Sequence, residues 1–266
     1  MAKQLLIYER AVPVSRQNHG DLSVKTGNNF NFAKHVNSVP LMAAEFALAA
    51  AEYAVVFAGE GDDIIPVVLL GVRDSENLFV GGDGAWGGRY VPAFLRRYPF
   101  VFSSDDDGSN FTLCIDEGFE GANKNGRGER LFDGDGERTQ YLQSVLGFLQ
   151  AYQVQFTRTR ALTKRLSDMG LLEQMQARFT LRSSQDLTLS GFLTVNREKL
   201  KGLSGEQLAE LNANDDLELI FLHLQSLRHL TTTAERIGAD ASGRSVEQPE
   251  PGGEPGQDTA PSTATH

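Results

Sequence analysis

The sequence predicts an α+β protein, with a central antiparallel sheet preceded by one helix and covered by C-terminal helices. Three observations predict it. Between residues 54 and 116 short β-rich runs alternate with turn-forming clusters. After Thr139 the apolar period changes from two to about 3.6. The 266 residues are 40% hydrophobic and 23% charged, the balance of a soluble globular chain with enough length to bury a core.

In chain order, residues 1–37 are mostly polar, and Gly20, Gly27 and the Asn28-Asn29 pair predict a loop-rich entry. Val39-Pro40 predicts a helix start, because a proline in the first turn has no amide to satisfy. Leu41, Met42, Phe46, Leu48 and Ala49 give that helix its apolar side, and its expected end is near Tyr53. Strands are expected over 54–57, 64–72, 77–80, 98–102 and 111–115. The turns near them are Gly59-Glu60-Gly61-Asp62, Asp74-Ser75-Glu76, Gly81-Gly82-Asp83-Gly84 and Asp105-Asp106-Asp107-Gly108. Connections this short suit hairpins and leave no room for parallel crossovers.

Leu142, Val145, Leu146, Leu149, Tyr152 and Phe156 line one helical face, continued by Leu162 and Leu166, with Gly170 placed to stop it. Residues 187–195 alternate as a strand or hairpin. Ser204 and Gln207 have capping-box spacing ahead of Leu208 and Leu211. A last helix is expected from Asp215-Asp216 through Leu217, Ile220, Phe221, Leu224 and Leu227, its acids suited to the positive end. One domain is therefore expected over 1–237, sheet-rich at 54–116 and helical at 139–237. Residues 238–266 hold four of the nine prolines and one large aliphatic, Val246, which predicts a disordered acidic tail rich in proline and glycine.

The formal net charge of −10 argues against nucleic acid, whose phosphates call for a basic surface. A single cysteine excludes an internal disulfide. The first residues lack the long apolar run of a secretory signal, and Glu45 and Glu52 interrupt the longest apolar stretch, so no spanning helix is expected and the cytoplasm is the expected location.

Gly82-Asp83-Gly84-Ala85-Trp86-Gly87 matches a dinucleotide fingerprint in letters only, because Gly88-Arg89-Tyr90-Val91-Pro92 is a poor helix start. Calcium loops counted from Asp105 or Asp133 lack glycine at the sixth position and glutamate at the twelfth. No two of the five histidines stand three or four apart, so no metal site is expected and no cofactor is implied. His223 and His229 are expected to be structural or surface residues. Cys114, within an expected strand, is better placed as a small hydrophobe than as a nucleophile. His35, Asn37, Asp116 and Glu117 form the candidate polar site of an alternative, enzymatic reading.

The densest unusual stretch, residues 86–102, holds the only tryptophan, two tyrosines, three phenylalanines and three arginines. Arginine beside aromatic rings is the composition of binding hot spots. Trp86, Arg89, Tyr90, Arg96, Arg97 and Tyr98 are the candidate surface. A core strand with arginines paired to nearby acidic turns is the competing explanation.

Four blocks occur in order: His35-Val36-Asn37-Ser38-Val39-Pro40-Leu41, Tyr90-Val91-Pro92-Ala93-Phe94-Leu95-Arg96-Arg97-Tyr98-Pro99-Phe100, Leu113-Cys114-Ile115-Asp116-Glu117 and Leu131-Phe132-Asp133-Gly134-Asp135-Gly136-Glu137. Together they resemble the bacterial SapC family, over about residues 5–236. The resemblance is not to the peptide-transport permease of the same name. It implies a surface-layer association in one lineage, hence an envelope link by analogy. It also implies gene neighbours such as tryptophan-halogenase-like flavoproteins, cupin-like proteins and TonB-dependent receptors. It supplies no catalytic residues. The expectation is a non-catalytic binding or accessory protein with a protein partner; a surface-layer component and an enzyme with an unfamiliar site are the alternatives.

Overall fold

A computed structural model describes residues 6–105, 110–181, 186–236, 239–240 and 246–247. In chain order its first strands are β1 (Ala11–Pro13), β2 (Ser23–Val24), β3 (Ser38–Pro40), β4 (Val55–Ala58), β5 (Ile65–Leu69), β6 (Phe100–Ser104) and β7 (Phe111–Asp116). They are followed by β8 (Ala122–Asn123), β9 (Glu129–Arg130), β10 (Leu172–Leu181), β11 (Asp186–Val195), β12 (Ala239–Asp240) and β13 (Val246–Glu247). The helices are α1 (Arg16–His19), α2 (Phe46–Ala49), α3 (Ala93–Arg96), α4 (Gln140–Asp168), α5 (Arg197–Lys201), α6 (Gly205–Ala213), α7 (Asp216–Ser226) and α8 (His229–Arg236).

Among the described residues the strands form three antiparallel sheets packed by helices, an α+β fold. The largest runs β12-β10-β11-β4-β5-β3, with β13 also on β10; the smaller two are β1-β7-β6 and β8-β2-β9. Strands from the region of residues 54–116 thus divide between two sheets, and the large one is completed by the C-terminal hairpin β10–β11. Most of the expected disordered tail lies outside the described residues; β12 and β13, which fall within it, pair with β10.

Two local expectations are corrected. Val39-Pro40 does not open a helix: Ser38, Val39 and Pro40 pair with Leu69, Val68 and Val67. β3 ends the large sheet, and an edge tolerates a proline that donates no ladder bond. The helical structure expected here begins after the strand, at Ala43–Glu45, a 3-10 turn leading into α2. Residues 77–80 form no strand either, only an isolated bridge from Val80 to Trp86. Asn77 pulls this segment into a turn: its amide donates to the Ala33 carbonyl (2.9 Å) and its Oδ1 accepts from the Phe79 N–H (2.9 Å).

α4 is the 29-residue helix that the period predicted. Thr139 caps it by accepting from the Leu142 N–H, and Gly170, at φ 64°, turns the chain out of it. Leu162 and Leu166 enter the core beneath the large sheet, with Phe46, Tyr53, Phe57, Phe79 and Phe94. Leu142 and Leu149 enter a second core with Val24, Phe100, Ile115 and Leu131. One helix therefore joins the cores of the sheets, and Tyr152 marks the junction with Met42 and Ala93.

α7 fills a gap within the large sheet. β11 and β4 meet at one pair, Leu193 opposite Phe57. Two residues further along the same register Val195 comes opposite Val55, and there the His223 ring stands between the backbones. Its Nε2 accepts from the Val195 N–H (3.0 Å) while Nδ1 donates to the Val55 carbonyl (2.8 Å). The Val55 N–H is taken by Ser226 Oγ at 3.0 Å. Both side chains are fully buried, so the helix supplies the hydrogen bonds that the strands do not give each other.

Candidate binding surface

The stretch from Trp86 to Tyr98 is held by two carboxylates from the helical segment around α2. Glu45, 6% exposed, accepts from the N–H groups of Met42 (2.9 Å) and Ala93 (2.7 Å) and from the Tyr90 hydroxyl (2.6 Å). Glu52 accepts from the Arg89 N–H (2.9 Å) and the Tyr90 N–H (3.0 Å). The Tyr90 carbonyl in turn accepts from Trp86 Nε1 at 3.0 Å and from the Tyr53 hydroxyl. Burial holds the Tyr53 and Tyr90 hydroxyls above the usual tyrosine range, so both act as neutral donors. Pro92 directs the chain into the single turn of α3.

With its backbone pinned, the stretch separates its side chains. Arg89 and Arg96 are exposed, and Trp86, Tyr90 and Tyr98 are half-buried. Arg96 lies 5.7 Å from the Tyr90 ring centre and 5.4 Å from that of Phe148, and its Nε donates to the Val91 carbonyl (3.0 Å). Arg97 is a correction to the expected surface: it is 4% exposed, its guanidinium 4.4 Å from the Phe94 ring centre, 4.9 Å from Tyr152 and 5.7 Å from Tyr8. Neighbouring arginines diverge because Arg97 turns toward aromatic rings, two of which, Tyr8 and Tyr152, come from distant parts of the chain. Burial raises the Tyr152 hydroxyl to about 12, against the lowering pull of the Arg97 charge.

Trp86 and Tyr98 belong to a chain of rings that sequence reasoning missed. Phe79 and Trp86 stack at 5.8 Å, Trp86 meets Phe30 at 5.4 Å, Phe30 meets Phe32 at 5.9 Å, and Phe32 stacks on Tyr98 at 4.1 Å. Phe30 is brought in by its N–H bond to the Gly84 carbonyl (2.8 Å). Gly84 sits at φ 82° with the Asn29 side chain where a Cβ would lie, so glycine alone suits that approach.

Among the described residues no hydrogen bond or ion pair joins His35 or Asn37 of the candidate polar site to Asp116 or Glu117. His35 is exposed, and Asn37 uses its carbonyl to accept from the Leu70 and Gly71 N–H groups. Asp116, fully buried, accepts from the N–H groups of Glu9 (2.8 Å), Arg10 (3.0 Å) and Gly118 (3.0 Å), with the Tyr98 hydroxyl at 3.4 Å. Glu117 pairs with Arg10 and stands 3.4 Å from His19 Nε2. Burial raises the Cys114 thiol, which disfavours the thiolate a nucleophile needs. Among the described residues no three or more His, Cys, Asp or Glu side chains could hold a metal ion together, and no helix is long and apolar enough to cross a membrane. A recess of about 320 Å³ between Asp62 and α4 is lined by Arg160, Lys164 and Asp168 and by no residue of either candidate site.

The signal for the carboxylate clamp was present in the sequence: Glu45 and Glu52 are the only charges in the apolar run of residues 41–58. A buried acid in such a run calls for donors, and the segment 89–93 supplies them. No curated protein and no solved structure matches the chain. The family model named SapC matches residues 14–232, and the chain belongs to the SapC family.

Proposed function

We propose that this protein is a non-catalytic binding or accessory protein that contacts a protein partner through Arg89, Arg96, Tyr90 and Trp86. One observation carries this reading. Two carboxylates and two aromatic donors fix the backbone of residues 89–93, while the Arg89 and Arg96 side chains remain exposed beside half-buried rings. Arginine and large aromatics held in place before contact lose little freedom on binding, which is the property of a hot spot. The acids and the thiol with chemical potential are instead occupied or buried.

The test compares co-purification of partners by wild-type protein and by an Arg89→Ala/Arg96→Ala variant from the native cells. Hot-spot truncation costs ~2 kcal/mol or more, so at least about a 30-fold loss of affinity is expected. Arg97→Ala is not a valid substitute, because Arg97 is interior. Equal recovery by the double variant, with unchanged circular dichroism, overturns the assignment.

A further inference from the structure

The Phe79 ring is only 2% exposed, and part of its cover is the Arg236 guanidinium, 4.2 Å from the ring centre. Tyr53 (4.7 Å) and Trp86 (5.8 Å) adjoin the same ring. The charges of Arg236 and of Glu52 both reach the Tyr53 hydroxyl. The backbone passes close to these groups at Gly88, where a Cβ would stand 2.5 Å from Tyr53 Oη, 2.8 Å from Trp86 Nε1 and 3.2 Å from Glu52 Oε1.

A cation over an aromatic face that is itself flanked by two further rings, with a carboxylate in the same neighbourhood, is a favourable arrangement for a guanidinium. The two sides of this contact differ in origin. Tyr53, Phe79, Trp86 and Glu52 fall within the SapC match, residues 14–232, whereas Arg236 falls outside it. Arg236 also ends α8, the last described helix, and its own side chain is exposed.

Resting on the binding reading above, we propose that Tyr53, Phe79 and Trp86 form a seat for an arginine side chain of a protein partner, which Arg236 occupies in cis until the partner displaces it. The charge balance agrees: the chain carries −10 overall, which favours a basic partner segment.

The test uses the full chain and N-acetyl-arginine amide as the probe. Trp86 is the only tryptophan, so its fluorescence reports on the seat directly. If the cis contact is worth what a cation–π pair gives, removing it exposes the seat and tightens probe binding by about 5- to 30-fold in Arg236→Ala relative to wild type. Arg236→Gln should behave in the same way. The citrulline analogue, of the same shape without the charge, should give no saturable signal. Equal affinity of wild type and both variants for the arginine probe, no saturable binding by either variant, or equal binding of the citrulline probe overturns the proposal. Because the titration contains no partner, a negative result beside intact, Arg89- and Arg96-dependent partner capture removes the guanidinium seat and leaves the broader reading in place. Loss of that capture requirement beside a positive titration does the reverse.

Discussion

Acidification should weaken the large sheet through one side chain, His223. The ring bridges the Val195 N–H and the Val55 carbonyl, so Nε2 has to be unprotonated and the single proton sits on Nδ1. A second proton would set an imidazolium N–H against the Val195 N–H inside a dry core, and burial accordingly lowers the pKa from 6.5 to about 4. The unfolded chain takes up this proton near pH 6.5 and the folded chain only near 4. Between those values the unfolded state holds more protons, so stability falls as pH falls and the loss is complete below the folded value. A shift of this size corresponds to about 3 kcal/mol, from 1.36 kcal/mol per unit. Urea unfolding of wild type and His223→Gln, followed by far-ultraviolet circular dichroism from about pH 7 to about pH 4, isolates the effect, because other titrating groups are common to both proteins. The stability advantage of wild type over the variant should shrink by about 3 kcal/mol across that window. Parallel pH profiles would refute both the tautomer and the bridging role.

Two further substitutions test the partners of buried carboxylates, one of them beneath the candidate surface. Glu45→Ala removes the acceptor shared by the Met42 N–H, the Ala93 N–H and the Tyr90 hydroxyl, and should destabilise the protein by ~3 kcal/mol in denaturant unfolding. A loss below ~1 kcal/mol means that the clamp is not structural. Arg165→Ala strips Asp216, 2% exposed, of a two-pronged partner at 2.5 and 3.0 Å, and should cost ~3 kcal/mol in the same assay, the low end for a buried pair because Arg165 is partly exposed. An unfolding midpoint unchanged from wild type would show that water replaces the guanidinium at no cost.

What was legible in the sequence was what local chemistry decides. Thr139 and Gly170 bound α4, Ser204 and Gln207 form the capping box of α6, and residues 186–195 alternate as β11. What was not legible depended on neighbours far along the chain. Pro40 sits in a strand because β5 lies beside it. β10 escaped notice because Glu173, Gln174 and Gln176 dilute its alternation, while its pairing with β11 decides its state. Arg96 and Arg97 are adjacent and identical in type, and Arg97 is interior among Phe94 and two rings distant in sequence, Tyr8 and Tyr152.

The blocks that carry the family resemblance have a common physical role. In the first, the Asn37 carbonyl receives two N–H groups, of Leu70 and Gly71, just beyond β5. In the second, Tyr90 and Ala93 are the donors that Glu45 requires. In the third, Asp116 gathers three backbone N–H groups from two segments. In the fourth, Asp133 Oδ1 accepts from the N–H groups of Asp135 (3.0 Å) and Glu137 (2.9 Å), which closes an acidic turn by its own side chain. A carboxylate engaged by several backbone donors is fixed in place and has few lone pairs left for a substrate. Of the polar residues suspected of chemistry from the sequence, Asn37 and Asp116 thus set loop geometry, while the Arg89 and Arg96 side chains are left exposed.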